Sequence, residues 1–399
     1  MKLLYFVPDL SDPTAARRVR LLHAGDLDIM LVGFSRSARK IETIEGVVPV
    51  DLGMTRDSRL VGRIGSVFLA FFRIWRLRKS FQNCDVIMAR QLEMLVLACM
   101  VRLFFRRRAP VVFECLDIHR LMIRHDMVGL ALRLLEAGLL RLTDLLVISS
   151  PGFLTNYFTV FHRHIPPTYL LENKLLFSEV DASVLNRGDA GEEGGLADEA
   201  RWKIGWYGVI RCPVSLKLLA DLVLASGGRI EVIIAGKIAQ NLAPGFDGIV
   251  AATPGLSYLG PYDRTRDLGR LYDTVHFTWA IDYYETGGNS EWLLPNRLYE
   301  GGVFRSVMLA VAGTQSGHWL AGNGAGIILE EPLETSLTGF FDMLDGGGYR
   351  IAKSAMRELP NNLFVYGEAD CRAFSARLAS LLPAQPTAGS ADVSRASRP

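Results

Sequence analysis

Three groups of residues in this 399-residue chain have the types and spacing to do chemistry. The first is the stretch 289–302, Asn-Ser-Glu-Trp-Leu-Leu-Pro-Asn-Arg-Leu-Tyr-Glu-Gly-Gly. Pro295 predicts a helix start, because the N–H that proline lacks is unpaired in a first helical turn anyway. Asn296, Arg297 and Glu300 then cluster at the start of a helix that follows an apolar run, 275–281, and a glycine-bearing loop, 282–290. The free N–H groups and positive dipole end of such a helix favour a phosphate. Arg297 adds charge, and Glu300, one turn on, can accept hydrogen bonds from ribose hydroxyls. The competing reading is an ordinary capped surface helix.

The second group is Lys203–Arg211, Lys-Ile-Gly-Trp-Tyr-Gly-Val-Ile-Arg. A strand carrying glycine near its end lets backbone approach a ligand, and Arg211 then projects from the carboxyl end, where a guanidinium suits bidentate binding of a diphosphate. A surface ion pair is the alternative. The third is 111–120, Val-Val-Phe-Glu-Cys-Leu-Asp-Ile-His-Arg, where Asp117 and His119 directly follow a strand. Either can orient a substrate hydroxyl or take its proton, although a lone histidine is more often structural. His276, inside a strand-like run, reads as a core residue; His162 and His164 fall in a loop with no evident partner. No Gly-x-Ser-x-Gly elbow, His-Glu-x-x-His pair or Gly-Lys-Ser/Thr phosphate loop occurs, which removes weight from hydrolase, zincin and ATPase readings.

These groups need scaffolding that puts strand ends and helix starts together. Apolar runs of strand length recur at 3–7, 29–34, 47–52, 85–89, 111–114 and 144–149, and again at 203–208, 229–236, 256–259, 275–281, 306–312 and 326–330. They are nearly continuous rather than alternating, as in parallel strands buried on both faces, and helix-length segments such as 214–225, 264–273 and 293–304 separate them. In open α/β sheets ligands bind at the carboxyl ends of the strands. The expected organisation is a first β/α domain over 1–180, a Gly/Asp/Glu-rich linker at 181–201 and a second β/α domain over 202–364. A last amphipathic helix, 365–382, that packs back on the first domain, and a disordered Ala/Ser/Pro-rich tail, 383–399, complete it.

Net charge is only +2, which argues against a general nucleic-acid binder. The charge is uneven, however: residues 1–180 hold 25 Lys+Arg against 17 Asp+Glu, and residues 181–399 hold 19 against 25. A basic first half suggests an anionic surface or substrate on that side. Residues 59–81 interleave apolar and basic side chains and 106–108 are three arginines, a pattern that suits a membrane interface. A core helix with a basic solvent face is the plainer alternative. Five scattered cysteines, Cys84, Cys99, Cys115, Cys212 and Cys371, have no metal or redox spacing and read as reduced thiols in a cytosolic protein. No run reaches the roughly 18 apolar residues of a membrane span.

Taken together, these positions resemble bacterial glycosyltransferases of the GT-B fold, specifically family-4-like enzymes of exopolysaccharide assembly. The likeness runs from about Lys2 to Leu382. It rests on 12–25 as the family's first helix and following glycine, 114–120 as its active-site histidine segment and Glu172-Asn173-Lys174 as its domain crossing. To these add 208–211 as its phosphate-binding arginine strand and Leu294-Pro-Asn-Arg-Leu-Tyr-Glu300 as its donor motif. The resemblance implies an α/β protein with two Rossmann-like domains facing each other across a cleft. It implies Arg211 on the donor diphosphate, Glu300 on the ribose, Asn296 and Arg297 flanking the nucleotide, and His119, with Asp117 nearby, in the sugar and acceptor pocket. The family lysine is displaced to Lys217. The motif glutamates, Glu291 and Glu300, are nine residues apart instead of eight, so the grip on the donor sugar falls to Asp282, Glu285 or the backbone around Gly287-Gly288. The implied reaction is hexosyl transfer, glucose from UDP-glucose, onto a polyprenyl-diphosphate-linked saccharide at the inner membrane face, by a cytoplasmic, peripherally associated enzyme. Neither a metal nor a cofactor beyond the nucleotide sugar is needed, since positive charge and helix N–H groups stabilise the leaving diphosphate. The rival readings are a non-hydrolysing sugar-nucleotide epimerase and a catalytically silent protein of the same fold that binds a membrane or partner.

Overall fold

The computed structural model describes residues 1–36, 41–54, 70, 72–186 and 201–383. Two parallel sheets form the core. The first has seven strands: β1 (Lys2–Val7), β2 (Asp28–Ser35), β3 (Val50–Met54), β4 (Val86–Arg90), β5 (Val111–Cys115), β6 (Leu145–Ile148) and β7 (Thr168–Leu170), in the order β3-β2-β1-β4-β5-β6-β7. After a two-residue strand, β8 (Leu175–Leu176), comes the second sheet. It comprises β9 (Trp202–Ile210), β10 (Ile230–Ile238), β11 (Leu256–Tyr258), β12 (Phe277–Trp279), β13 (Val307–Val311) and β14 (Ile327–Leu329), ordered β11-β10-β9-β12-β13-β14.

The continuous apolar runs have the burial that parallel strands demand. Alternate side chains point to opposite faces. Leu4, Phe6, Ile87, Ala89, Val111 and Phe113 enter one cluster of the first sheet, and Leu3, Tyr5, Val7, Val86, Met88 and Val112 enter the other. Helix Pro13–Ala24 starts where Asp12 accepts a hydrogen bond from the Thr14 N–H at 2.8 Å. It ends at Gly25, where an added Cβ would lie 2.2 Å from Ser375 Oγ and 2.7 Å from the Cys371 carbonyl oxygen. Only glycine lets the helix end come so close to the last helix, Glu368–Ala379. Cys371, Phe374 and Leu378 thereby join the core of the first sheet.

Several elements differ from the sequence expectation. The segment expected as one helix over 365–382 begins with a strand, β15 (Val365–Tyr366), paired in parallel with β8, and the helix proper is Glu368–Ala379. Pairing with β8 satisfies those two residues before Gly367 and the Asp370 carboxylate open the helix. Strand β3 lies later than 47–52 because residues 44–47 form a tight bridged turn. The short β7 was not foreseen: three residues after a proline pair carry almost no periodic signal. The stretch 289–302 splits into Asn289–Trp292 and Asn296–Val303, since Leu294, ahead of Pro295, is steered away from helical backbone. Of the basic stretch 59–81, residues 59–69 and 71 lie outside the described residues, as do 187–200 and 384–399.

One charged cluster is built into the first sheet. Glu114 on β5 is fully buried. It accepts from Arg18 Nε at 2.5 Å, Arg90 Nε at 2.8 Å and the Tyr5 hydroxyl at 2.5 Å. Arg90 also donates to the Thr14 hydroxyl at 2.8 Å, so helix Pro13–Ala24 is tied to the strand edge at its N-terminus. Burial opposes ionisation of Glu114, but Arg90 and Arg18 overcome it and hold the carboxyl at about 2. Removing one partner of such a buried set leaves the others uncompensated and costs roughly 3–5 kcal/mol. Glu114→Ala is expected to lose stability on that scale in urea unfolding. Because the folded pKa is depressed, the wild-type contribution is present above the unfolded value of about 4.3. It fades as pH falls toward about 2, so the gap between wild type and variant should narrow below pH 4. A gap constant from pH 7 to pH 3 would contradict this account.

Candidate active site

Strand β9 delivers Arg211 to the carboxyl edge of the second sheet. Near the strand's end Gly208 (φ +117°) pairs with Gly236 (φ +136°) of β10. A Cβ on Gly236 would stand 1.7 Å from the Gly208 carbonyl oxygen, so the crossing requires glycine there. Arg211 Nη2 lies 2.9 Å from Asp282 Oδ2, and its guanidinium sits over the Tyr284 ring, 4.9 Å from the centroid. Asp282 leaves the end of β12, and its second oxygen takes the Tyr284 N–H at 2.9 Å, which sets the loop.

Beside them, helix Asn296–Val303 turns Arg297 toward the same edge. Arg297 Nη2 donates to the Ile281 carbonyl oxygen at 2.9 Å, while its Nε is buried with no hydrogen-bond partner among the described residues. Burial pulls the pKa of Arg297 below its usual value, and the charge on neighbouring Arg211 pulls the same way. Glu300 is nearly buried, 3% exposed. One oxygen pairs with Arg264 Nε at 2.7 Å and the other accepts from the Tyr272 hydroxyl at 3.3 Å. Arg264 is thus a partner that the sequence did not indicate.

The first sheet supplies the facing wall. The loop after β5 carries Asp117, which accepts from Gln91 Nε2 at 3.3 Å, and His119, whose Nδ1 accepts the Leu121 N–H at 3.2 Å. Asp117 is open to solvent, though the surrounding protein displaces part of its hydration. Dehydration raises its pKa above the ordinary aspartate value, against the opposing pull of His119, Gln91, Arg211 and Arg90. Glu285 is likewise raised, first by burial and also by Asp117, while Arg211 and Arg120 oppose the shift. The charges of the two sheets therefore sense each other across the cleft. Direct bonds close it at one end: the Ile118 N–H donates to Asn289 Oδ1 at 3.1 Å, and the Ser150 hydroxyl to the Trp292 carbonyl oxygen at 2.5 Å.

The structure thus brings together Asp117, His119, Arg211, Asp282, Glu285 and Arg297, with Asn296 at the start of the adjoining helix. Lys217 does not join them. Its helix turns Leu216 inward and Lys217 outward, where it pairs with Asp221 at 2.5 Å. Glu291 accepts the Gly287 N–H at 2.6 Å and shapes the loop. His276 is a core residue, its Nδ1 taking the Lys203 N–H at 3.0 Å. His162 does have a partner: its Nε2 lies 2.7 Å from Glu136 Oε2, a carboxylate that also accepts from Tyr157. The sequence hid this because Glu136 lies 26 residues away on a helix.

Two parallel sheets whose carboxyl edges oppose across a charged cleft define the class: this is a protein of the GT-B fold, with two Rossmann-like domains. Sucrose-phosphate synthase from Thermosynechococcus elongatus has the same fold. It is 12% identical, with a TM-score of 0.71 over 96% of this chain and 99% of that one. Anabaena HepE, solved in complex with UDP-glucose, superposes with a TM-score of 0.65 at 13% identity, over 95% of this chain and 99% of that one. No family model matches the chain. The succinoglycan biosynthesis protein ExoL of Rhizobium meliloti (strain 1021) is 40% identical over 381 residues, 96% of this chain and 94% of that protein. The chain belongs to the ExoL family of succinoglycan biosynthesis proteins.

The raised Asp117 carboxyl has a kinetic consequence. If Asp117 works as an anion, the acid limb of kcat/KM lies above the ordinary aspartate value near 3.9, because the folded cleft favours the protonated form. Asp117→Asn should abolish that limb and lower the plateau. An acid limb unchanged in the variant would take Asp117 out of the reaction.

Proposed function

We propose that the enzyme transfers a hexosyl unit, with glucose from UDP-glucose the favoured donor, onto a polyprenyl-diphosphate-linked saccharide during exopolysaccharide assembly. The observation that carries the donor half is the convergence of Arg211 and Arg297 at a strand edge, with the Arg297 Nε buried and unpartnered. Two guanidiniums beside a helix N-terminus suit a diphosphate: two anionic phosphates relieve the repulsion between the arginines and accept the orphan N–H. The complex of HepE, a protein of the same fold, with UDP-glucose supports this choice of donor. Membership of the ExoL family supports an acceptor carried on a lipid.

In this reading the donor lies along the second sheet. Arg211 and Arg297 hold the diphosphate, and the first N–H groups of helix Asn296–Val303 complete the cradle. Glu300 takes the ribose hydroxyls. Arg264 and Tyr272 use one lone pair on each carboxylate oxygen, so two remain to accept. Glu285, near Arg211 and facing Asp117, grips hydroxyls of the donor sugar. Asp117 and His119 line the acceptor side, where one of them receives or steers the proton of the attacking hydroxyl. As the glycosidic bond to the nucleotide breaks, charge grows on the departing diphosphate. The fixed guanidiniums stabilise it most at that stage. Lys217, exposed and paired with Asp221, has no part in this arrangement. The basic first half, residues 1–180, forms the acceptor and membrane side, and residues 202–364 the donor side.

Arg211→Ala is expected to lower kcat/KM by about 2–4 kcal/mol of transition-state stabilisation, the range for losing one oriented charged donor. Glu300→Gln is expected to weaken UDP binding in calorimetry more than it weakens acceptor saturation. Full activity without the Arg211 guanidinium, or unchanged UDP affinity in Glu300→Gln, would remove that residue from its assigned role.

A further inference from the structure

Helix Met127–Leu140 is turned inside out. Its only charged residues, Arg133 and Glu136, face the protein. Glu136 is 3% exposed and bonded to Tyr157 and His162. Arg133 donates to the carbonyl oxygens of Met122 and Arg124, both at 2.6 Å, and lies over the Phe161 ring. Outward stand Met127, Leu130 and Leu134, which are 77%, 43% and 64% exposed, with Ala131 and Gly138 completing the stripe at helical spacing. No charge interrupts that stripe before Arg141. A helix that faces water puts its polar residues outside, so this one is built for a different medium.

The apolar face continues onto the neighbouring helix. Helix Leu92–Phe104 packs beside it and ends in exposed Leu103 and Phe104. Phe104 meets exposed Trp75 edge-on, with ring centroids 6.4 Å apart. The cores of these segments lie in the same cluster, so they cover one face of the first sheet. Around them Arg76, Arg78, Lys79, Arg107, Arg108 and Arg141 are exposed. The nearby carboxylates Asp126 and Asp144 are already paired, with Arg124 and Arg102.

We propose that this surface docks on an anionic lipid bilayer. Met127, Leu130 and Leu134 sit at the acyl boundary, and the arginine rim sits on the phosphates. A bilayer interface offers an apolar layer bounded by a negative plane, which matches an apolar stripe bounded by cations. A second copy matches less well, because a two-fold dimer through this face sets one arginine rim against another. No helix among the described residues is long and apolar enough to cross a membrane, so the contact is interfacial. The helix follows the loop that carries Asp117 and His119. Docking there holds the acceptor side of the cleft at headgroup level, where the diphosphate of a lipid-linked saccharide lies. This inference rests on the lipid-linked acceptor of the proposed function, but its test does not require turnover.

The full chain is sedimented with vesicles of 70% phosphatidylcholine and 30% phosphatidylglycerol, and with phosphatidylcholine alone, alongside Leu130→Glu/Leu134→Glu and Leu130→Ser/Leu134→Ser variants. Circular dichroism and UDP calorimetry verify that each variant folds. Wild type is expected to bind the anionic vesicles at least tenfold more tightly than the neutral ones, and both variants to lose at least tenfold with UDP affinity intact. Absence of wild-type binding to anionic vesicles, undiminished binding by the folded variants, or a dimer that both variants dissociate would overturn the proposal. Intact UDP affinity in a protein that ignores vesicles refutes this surface alone. Vesicle binding without UDP affinity refutes the donor assignment alone.

Discussion

The site depends on the placing of two positive charges side by side in a partly dehydrated cleft. Arg211 and Arg297 repel each other, and burial alone disfavours the charge on Arg297. The Asp282 carboxylate is bonded to Arg211 at 2.9 Å, and the Tyr284 ring supports the same guanidinium from one face. Asp282 answers Arg211 directly, whereas Arg297 keeps a buried Nε with no hydrogen-bond partner among the described residues at the end of a parallel sheet. An anionic phosphate ester can accept that N–H and offset the repulsion between the two guanidiniums. A neutral sugar cannot offset that repulsion, which is why the nucleotide part of the donor is expected to dominate binding.

The scaffold makes that placing possible. The glycine pair at Gly208 and Gly236 lets β9 and β10 run on to the edge from which Arg211 projects. Asp282 is positioned by the end of β12, and Arg297 by the helix break that Pro295 imposes. On the opposite wall, the buried Glu114 binds Arg18 and Arg90 and ties the first helix to β5, the strand that ends just before Asp117. Arg17 extends the same helix toward the domain crossing, donating to the Asn173 carbonyl oxygen at 3.1 Å. Its Nη2 lacks a hydrogen-bond partner among the described residues, beside a cavity of about 10 Å³, room for a single water. The two walls are thus braced by polar groups inside each sheet and bonded to each other through Asn289 and Ser150.

Much of this was legible in the sequence because it is periodic or local. Unbroken apolar runs announce parallel strands, and Pro295 announces the helix start. What escaped was carried by pairs distant in sequence. Arg264 on Glu300, Glu136 on His162 and the Arg18–Glu114–Arg90 cluster each join residues that no spacing rule connects. The outward apolar stripe of helix Met127–Leu140 escaped for another reason. Its residues are those of a core helix, and only the fold reveals which way they face. The outward direction of Lys217 was hidden in the same way, since one position along a helix separates inward Leu216 from the exposed lysine.

The central claim is that the diphosphate of a nucleotide sugar is held between the end of β9 and the start of helix Asn296–Val303. Backbone hydrogen exchange with and without UDP tests it most directly. The account predicts that UDP slows exchange at residues 208–212 and 282–300, while helix Pro13–Ala24 is unchanged. Protection confined to the first sheet, or none at 208–212 at saturating UDP, would contradict it.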